Sequence, residues 1–225
     1  MALQFLTTMS INTSINQQWK MQVVERFLEI LKVPYGDFQA IGNLADAIND
    51  VESVEQTVEL LSQHPTAKYA FQNRLLLEDY DLDQLYTLNQ NTLGYIYSNH
   101  MKSNNLKPIQ PRAIENDYTY LMYHLTETHD VWHVVTGSDT SMAGETKLQS
   151  FVAAQLKTSR FSFAMLAKNL LKTAVEDLEL AQLLMDSLAA GWVMGKQAKP
   201  LFGIQWNKLW NIPLTQLQSE WNVIL

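Results

Sequence analysis

The stretch THDVWHVVTGSDTSMAGET, residues 128–146, holds two of the chain's five histidines, an aspartate directly after the first, and a glutamate twelve residues after the second. With no cysteine anywhere in 225 residues, any metal must be held by imidazole nitrogens and by oxygens. On an α-helix each residue advances about 100°, so His129 and His133 lie about 40° apart and Asp130 about 60° beyond His133. All three side chains share one wedge, from which two imidazoles and a carboxylate can reach a single ion. Gly137 suits a left-handed helix stop, and Glu145 stands at the start of the next helix. The chain can therefore turn back and offer Glu145 as a fourth ligand.

The pattern shares the two-histidine spacing of the HExxH helix of zinc enzymes, with Asp130 in the place of the inner glutamate. Aspartate is one methylene shorter, so it ligates or positions rather than acting as a distant general base, and no protease is expected. Zinc comes first among the suited ions; iron, manganese and cobalt also suit this donor set, and magnesium does where oxygen and water dominate. On spacing alone, a polar patch on a solvated helix face is the favoured reading over a ligand set. Asp130 is also the candidate for handling a proton when an ion does not engage it fully.

The neighbouring polar residues receive plainer readings. Ser138, Asp139 and Thr140 read as cap and loop, His124 as a structural or supporting residue, and His64 and His100 as surface residues. Tyr118, Tyr120 and Tyr123 read as packing groups on a half-buried helix. Lys147 and Lys157 read as solvated charges, with the alternative that they receive a carboxylate or phosphate on a ligand. Nine methionines and six tryptophans suit core filling first and a plastic apolar cavity second. Four of the tryptophans (192, 206, 210 and 221) crowd the end of the chain and lean toward an interface.

The elements that must position these residues read as helices nearly throughout. Apolar residues recur at three and four, and only 8 glycines and 6 prolines punctuate the chain. Helices are expected over Asn16–Lys32, closed by VPYGD, and over Phe38–Asn49 and Val51–Gln63, with Asp50 as an N-cap between the last two. Pro65 starts another, EDYDLDQLYTL gives a connection with one helical turn, NTLGYIYSNHMKSNN a short amphipathic helix, and LKPIQP a loop that marks the clearest boundary. One run from Ala113 to Thr136 carries the histidines. Two long apolar helices, Glu145–Lys172 and Ala174–Lys196, and a Trp-rich tail follow. The fold class expected is all-α: a single multi-helix domain whose long apolar helices form a lipid-accepting groove between Phe151 and Trp192. No period of 20 to 50 residues repeats, which excludes solenoids.

Composition narrows the functions. A net charge of -7 with 16 Lys and Arg spread along the chain disfavours nucleic acid, which needs a dense positive face. The first twenty residues lack the basic start and apolar core of a signal peptide and the arginines of a transit peptide, so neither is expected. No window of about 18 residues is both apolar and uncharged, so no membrane span is expected.

Read together, HDVWH, eleven residues and then Glu145 resemble the HDxxH-x11-E motif of the coenzyme Q biosynthesis protein 4 family at all four positions. HPTAKYAFQNRLLL, TLGYIYSNHMKSNNLKP and GKQAKPLFGIQWNKLWNIPL resemble family segments on either side. The resemblance covers residues 46–225, a quinone-biosynthesis-family domain, and leaves 1–45 as an N-terminal helical segment outside the match. It implies an all-helical protein whose His129, Asp130, His133 and Glu145 form a metal site. Such a protein sits peripherally at a membrane surface, on the cytoplasmic side here, and binds a polyprenyl lipid or prenylated quinone precursor. It works with other quinone-biosynthesis proteins, either as an enzyme acting on the ring, by oxidative decarboxylation at C1, or as a non-catalytic lipid-binding scaffold. The long apolar faces also leave room for a homodimer. A generic helical metal protein outside quinone synthesis is the third reading.

Overall fold

A computed structural model describes residues 2–33, 37–109 and 113–224 of the chain. The described residues form α1 (Ala2–Lys32), α2 (Phe38–Ile48), α3 (Val51–Leu61), α4 (Pro65–Asn73), α5 (Leu82–Leu85) and α6 (Leu93–Ser103). They continue as α7 (Asp117–Glu127), α8 (His129–Thr136), α9 (Met142–Leu156), α10 (Arg160–Glu176), α11 (Ala181–Gln197) and α12 (Leu214–Glu220), with two short 3-10 turns. No strand occurs among them, only an isolated bridge between Thr92 and Pro213. The all-α class is therefore as expected. The VPYGD stop and the end of LKPIQP fall partly on residues 34–36 and 110–111, outside the described residues.

Caps set many of the boundaries. Asp50 caps α3 as expected, its carboxylate accepting from the Ser53 N–H at 2.8 Å. Pro65 starts α4, where its missing N–H costs nothing. Three expectations shift. The first helix begins at Ala2, well before Asn16. The run expected from Ala113 starts instead at Asp117, behind a capping box between Asn116 and Thr119. It then breaks at Thr128, whose hydroxyl bonds back to the His124 carbonyl at 2.7 Å. The two long helices expected after Glu145 are three. Lys157 takes a positive φ of 54°, Ser159 caps α10 by accepting from Ser162 N–H at 3.2 Å, and a 3-10 turn at Leu178–Leu180 precedes α11. Apolar periodicity runs through these breaks because both flanking helices bury the same kind of face.

The main core lies among α6, α8, α9, α11 and the C-terminal tail, with Tyr97, Trp132, Phe151, Met194 and Trp206 buried in it. A second cluster joins Phe71, Tyr120, Leu156 and Phe202. Trp206 and Trp210 are therefore core residues rather than the interface residues the sequence suggested. The tail also closes α6: the N–H groups of Leu93 and Gly94 donate to the carbonyls of Ile212 and Trp210, each at 2.9 Å. At the other end, the Trp19 indole donates to the Ala47 carbonyl at 2.9 Å and Lys172 Nζ donates to the Val33 carbonyl at 3.1 Å, tying α1 to α2 and α10.

Helices α9 and α11 approach unusually closely. A Cβ added at Gly191 would lie 2.0 Å from the Lys147 carbonyl oxygen, and one at Gly195 would lie 2.6 Å from that of Phe151. Two missing side chains, four residues apart, let the helices meet backbone to backbone. Because α9 carries Glu145 in its first turn, this contact fixes the height of that carboxylate.

Candidate metal centre

His129 and His133 lie on α8, one turn apart, as the spacing requires. Their rings stand at 84°, and their Nε2 atoms are 3.1 Å apart. Two ligands at about 2.1 Å from one tetrahedral ion stand about 3.4 Å apart, so this separation matches a shared ion. His133 is fully buried, and its Nδ1–H donates to the Ser138 carbonyl at 3.1 Å, which turns Nε2 into the site as the free acceptor. His129 is 41% exposed and forms the open rim. His129, Asp130 and His133 make a group able to hold a metal ion, with ligand atoms within 4.8 Å of one another.

Glu145 joins from α9. Its Oε1 lies 3.2 Å from His133 Nε2 and its Oε2 lies 3.8 Å from His129 Nε2. The turn that delivers it depends on two glycines. Gly137 ends α8 at φ 59°, as expected for a left-handed stop. At Gly144 a Cβ would meet Asp139 Oδ1 at 2.1 Å, and that carboxylate accepts from the Ser141 N–H at 3.0 Å. Ser141, not the Ser138–Thr140 stretch, is the N-cap of α9. The Glu145 carboxylate sits in the positive first turn of that helix, which favours its charge. Trp132 on α8 packs edge-on against Phe151 on α9 at 5.8 Å, holding the helices that carry the candidate ligands together.

The groups disturb one another as a shared site demands. Although His129 lies at the open rim, desolvation on its inward side, and then His133 beside it, hold that imidazole below its ordinary value. Burial works against a charge on His133, but the hydrogen bond and charge of Glu145 outweigh it and raise its value. Burial likewise opposes ionisation of Glu145 and Asp130, and the neighbouring histidines override it and hold both carboxyls below the usual range. His133 and Glu145 are thus poised to share a proton across their 3.2 Å contact.

The remaining sequence readings divide. His64 is exposed, as expected, but His100 is not a surface residue: its side chain is 13% exposed and its ring stacks on His133 at 5.6 Å. It stands 29 positions before His129 with no spacing to mark it, and only the packing of α6 on α8 brings it in. His124 is structural, as read. It pairs through Nδ1 with Glu127 Oε1 at 3.0 Å and accepts the Gly203 N–H on Nε2 at 3.2 Å. Tyr120 packs and donates to the Leu75 carbonyl at 2.9 Å, Tyr118 bonds Asp46, and Tyr123 is buried. Lys147 is half-buried, and its Nζ donates to the Thr136 carbonyl at 3.1 Å, capping α8 from α9. Lys157 is exposed.

Comparison with known proteins agrees with this helical frame. Residues 8–225 match the family model for the coenzyme Q (ubiquinone) biosynthesis protein Coq4. The chain belongs to the Coq4 family. Among curated Coq4 relatives, the Anopheles gambiae homologue is 26% identical over 187 residues, which is 81% of this chain and 62% of that protein. The Danio rerio homologue is 29% identical over 160 residues, 67% of this chain and 56% of that protein. Both are named mitochondrial ubiquinone biosynthesis proteins. The matched stretch thus spans about three fifths of the length of these curated Coq4 relatives. A Nostoc punctiforme protein of known crystal structure shares the fold, with a TM-score of 0.82 at 24% identity over 93% of this chain and 99% of its own. No helix among the described residues is long and apolar enough to cross a membrane.

Proposed function

We propose that this Coq4-family chain is a metal-dependent component of ubiquinone-type quinone biosynthesis that holds a prenylated ring precursor beside one divalent ion. His129, His133, Asp130 and Glu145 are its ligands, and zinc is the first choice for a set of two imidazoles and carboxylates. The observation that carries this reading is the convergence of two Nε2 atoms, 3.1 Å apart, on a carboxylate 3.2 Å from one of them. Such a trio of ligand-type atoms, one of them fully buried, fits an ion and is costly without one.

A divalent ion bound there supplies a Lewis acid for a phenolate or carboxylate oxygen on the ring. The chain's own residues do the rest. Ser138 fixes the tautomer of His133 through Nδ1, Lys147 holds the end of α8, and the exposed rim at His129 leaves the ring a way in. Asp130, where the ion does not engage it fully, is the group that would handle a proton at a carboxylate oxygen. The polyprenyl tail needs apolar surface, and α10, the 3-10 turn and α11 expose Leu171, Val175, Leu178, Leu183 and Val193. These exposed residues would also support peripheral contact with a membrane, where other quinone-biosynthesis proteins would be met.

Elemental analysis of the purified protein, with mass spectrometry of the lipid it carries, tests this reading. About one divalent ion per chain and a bound polyprenyl compound are expected, and His129→Ala should lose the ion. Protein that retains no ion after exposure to zinc, cobalt or magnesium refutes it. Conversion of a prenylated hydroxybenzoate by the loaded protein separates a catalyst from a scaffold that only presents the lipid.

A further inference from the structure

His100 is the one group in the cluster that the four-residue set leaves without a role. It sits in the last turns of α6 and faces its neighbours in two ways. Its ring plane lies on the ring of His133, 24° from parallel, and a ring face offers no lone pair to an ion. Its Nε2 points to Asp130 Oδ1 at 3.8 Å. That nitrogen is buried and has no hydrogen-bond partner, a rare condition for a ring nitrogen. Buried donor and carboxylate thus face each other just beyond bonding distance, which ends near 3.2 Å.

We infer that His100 is a positioning residue: its Nε2–H donates to Asp130 Oδ1 and leaves the other carboxylate oxygen to the ion. A carboxylate ligand held by one oxygen presents the second in a fixed direction, and loss of such an outer donor typically weakens metal affinity 10–100-fold. The inference rests on the metal reading of the site proposed above, and it makes α6 part of the metal centre although it contributes no ligand.

The test uses metal-free full-length protein, titrated with zinc against a competing chelator and with cobalt followed by its visible spectrum. His100→Gln and His100→Met have nearly the same shape, but only glutamine can donate. His100→Met should weaken zinc binding 10–100-fold while keeping the cobalt band positions of the wild type, and His100→Gln should recover most of the loss. In an Asp130→Asn background, His100→Met should cost little more. Wild-type affinity in His100→Met overturns the inference. So do equal losses in the two His100 variants, an undiminished loss in the Asp130→Asn background, or cobalt bands displaced as they are on removal of a ligand. His100→Phe, which keeps the stacked ring and lacks the donor, carries the same comparison if the methionine variant does not fold. A wild type that binds neither ion overturns the metal reading itself, whereas a wild type that binds normally with His100→Met unaffected overturns only the role of His100.

Discussion

Replacing Gly191 with alanine puts one methyl group where α11 meets the backbone of α9. Its Cβ would lie 2.0 Å from the Lys147 carbonyl oxygen, about 1.4 Å short of ordinary contact. The obstacle is backbone, so no side-chain rotation relieves it and the helices must part. Overpacking of this kind costs about 1–3 kcal/mol or more, and a rigid neighbour argues for the upper end. Alanine recovers about 1 kcal/mol of helix propensity, which leaves a net loss of about 2 kcal/mol. For a chain of 225 residues that lowers the melting temperature by about 4–8 °C. The displacement also reaches the proposed metal centre, because Lys147 follows Glu145 by two residues and holds the Thr136 carbonyl. With Glu145 Oε1 only 3.2 Å from His133 Nε2, a shift near 1 Å should weaken zinc binding at least about tenfold. Calorimetric melting and chelator-competed zinc titration measure the two effects. Gly42→Ala is the control: it lies within α2 with nothing within 4 Å of its Cβ, and should be neutral or stabilising by up to about 1 kcal/mol. A Gly191→Ala protein with the melting temperature and zinc affinity of the wild type would show that this contact does not position Glu145.

Zinc affinity should rise with pH above 6.5, the ordinary value from which Glu145 raises His133, and binding should release a proton; calorimetry in two buffers of different ionisation enthalpy measures the release, and none at all would count against the shared proton. Without an ion, the Glu145 contribution to stability is present above 4.5 and lost as pH falls through its depressed folded value. The His133 contribution is full below 6.5 and lost as pH rises through its raised one, so this pair should help most between those values in melts across pH. Glu127→Ala strips the acceptor from His124 Nδ1 and from the Leu77 N–H at 3.2 Å, and should cost about 2–4 kcal/mol in urea unfolding, a loss under 1 kcal/mol refuting its role as a pin. Lys168 is buried on α10, and burial and then Lys172 push its amine down to about 8. Its unfolded state therefore binds more protons between about 8 and 10.5, and wild-type stability should gain on Lys168→Met by up to about 3 kcal/mol across that range, a constant difference refuting it.

The His129–His133 pair and the left-handed stop at Gly137 were legible in the sequence because both are local: helix geometry sets the first over one turn, and a missing Cβ permits the second. Helical class was legible for the same reason, since the apolar period survives even where a helix breaks. The breaks at Thr128 and at residues 157–159 were not, because a hydroxyl bonding back to a carbonyl and a serine cap leave no mark on that period. Glu145 was legible as a candidate from its distance along the chain, but its approach to His133 depends on Gly191 and Gly195 seating α9 against α11 more than forty residues away. His100 shows the limit most clearly. A lone histidine near a helix end reads as solvated, and only the packing of α6 on α8 strips its water and turns it to Asp130. Local geometry thus decides which residues can share an ion. Tertiary packing decides which carboxylate reaches them and what holds it there, because burial and the contacts between distant helices exist only once the chain has closed on itself.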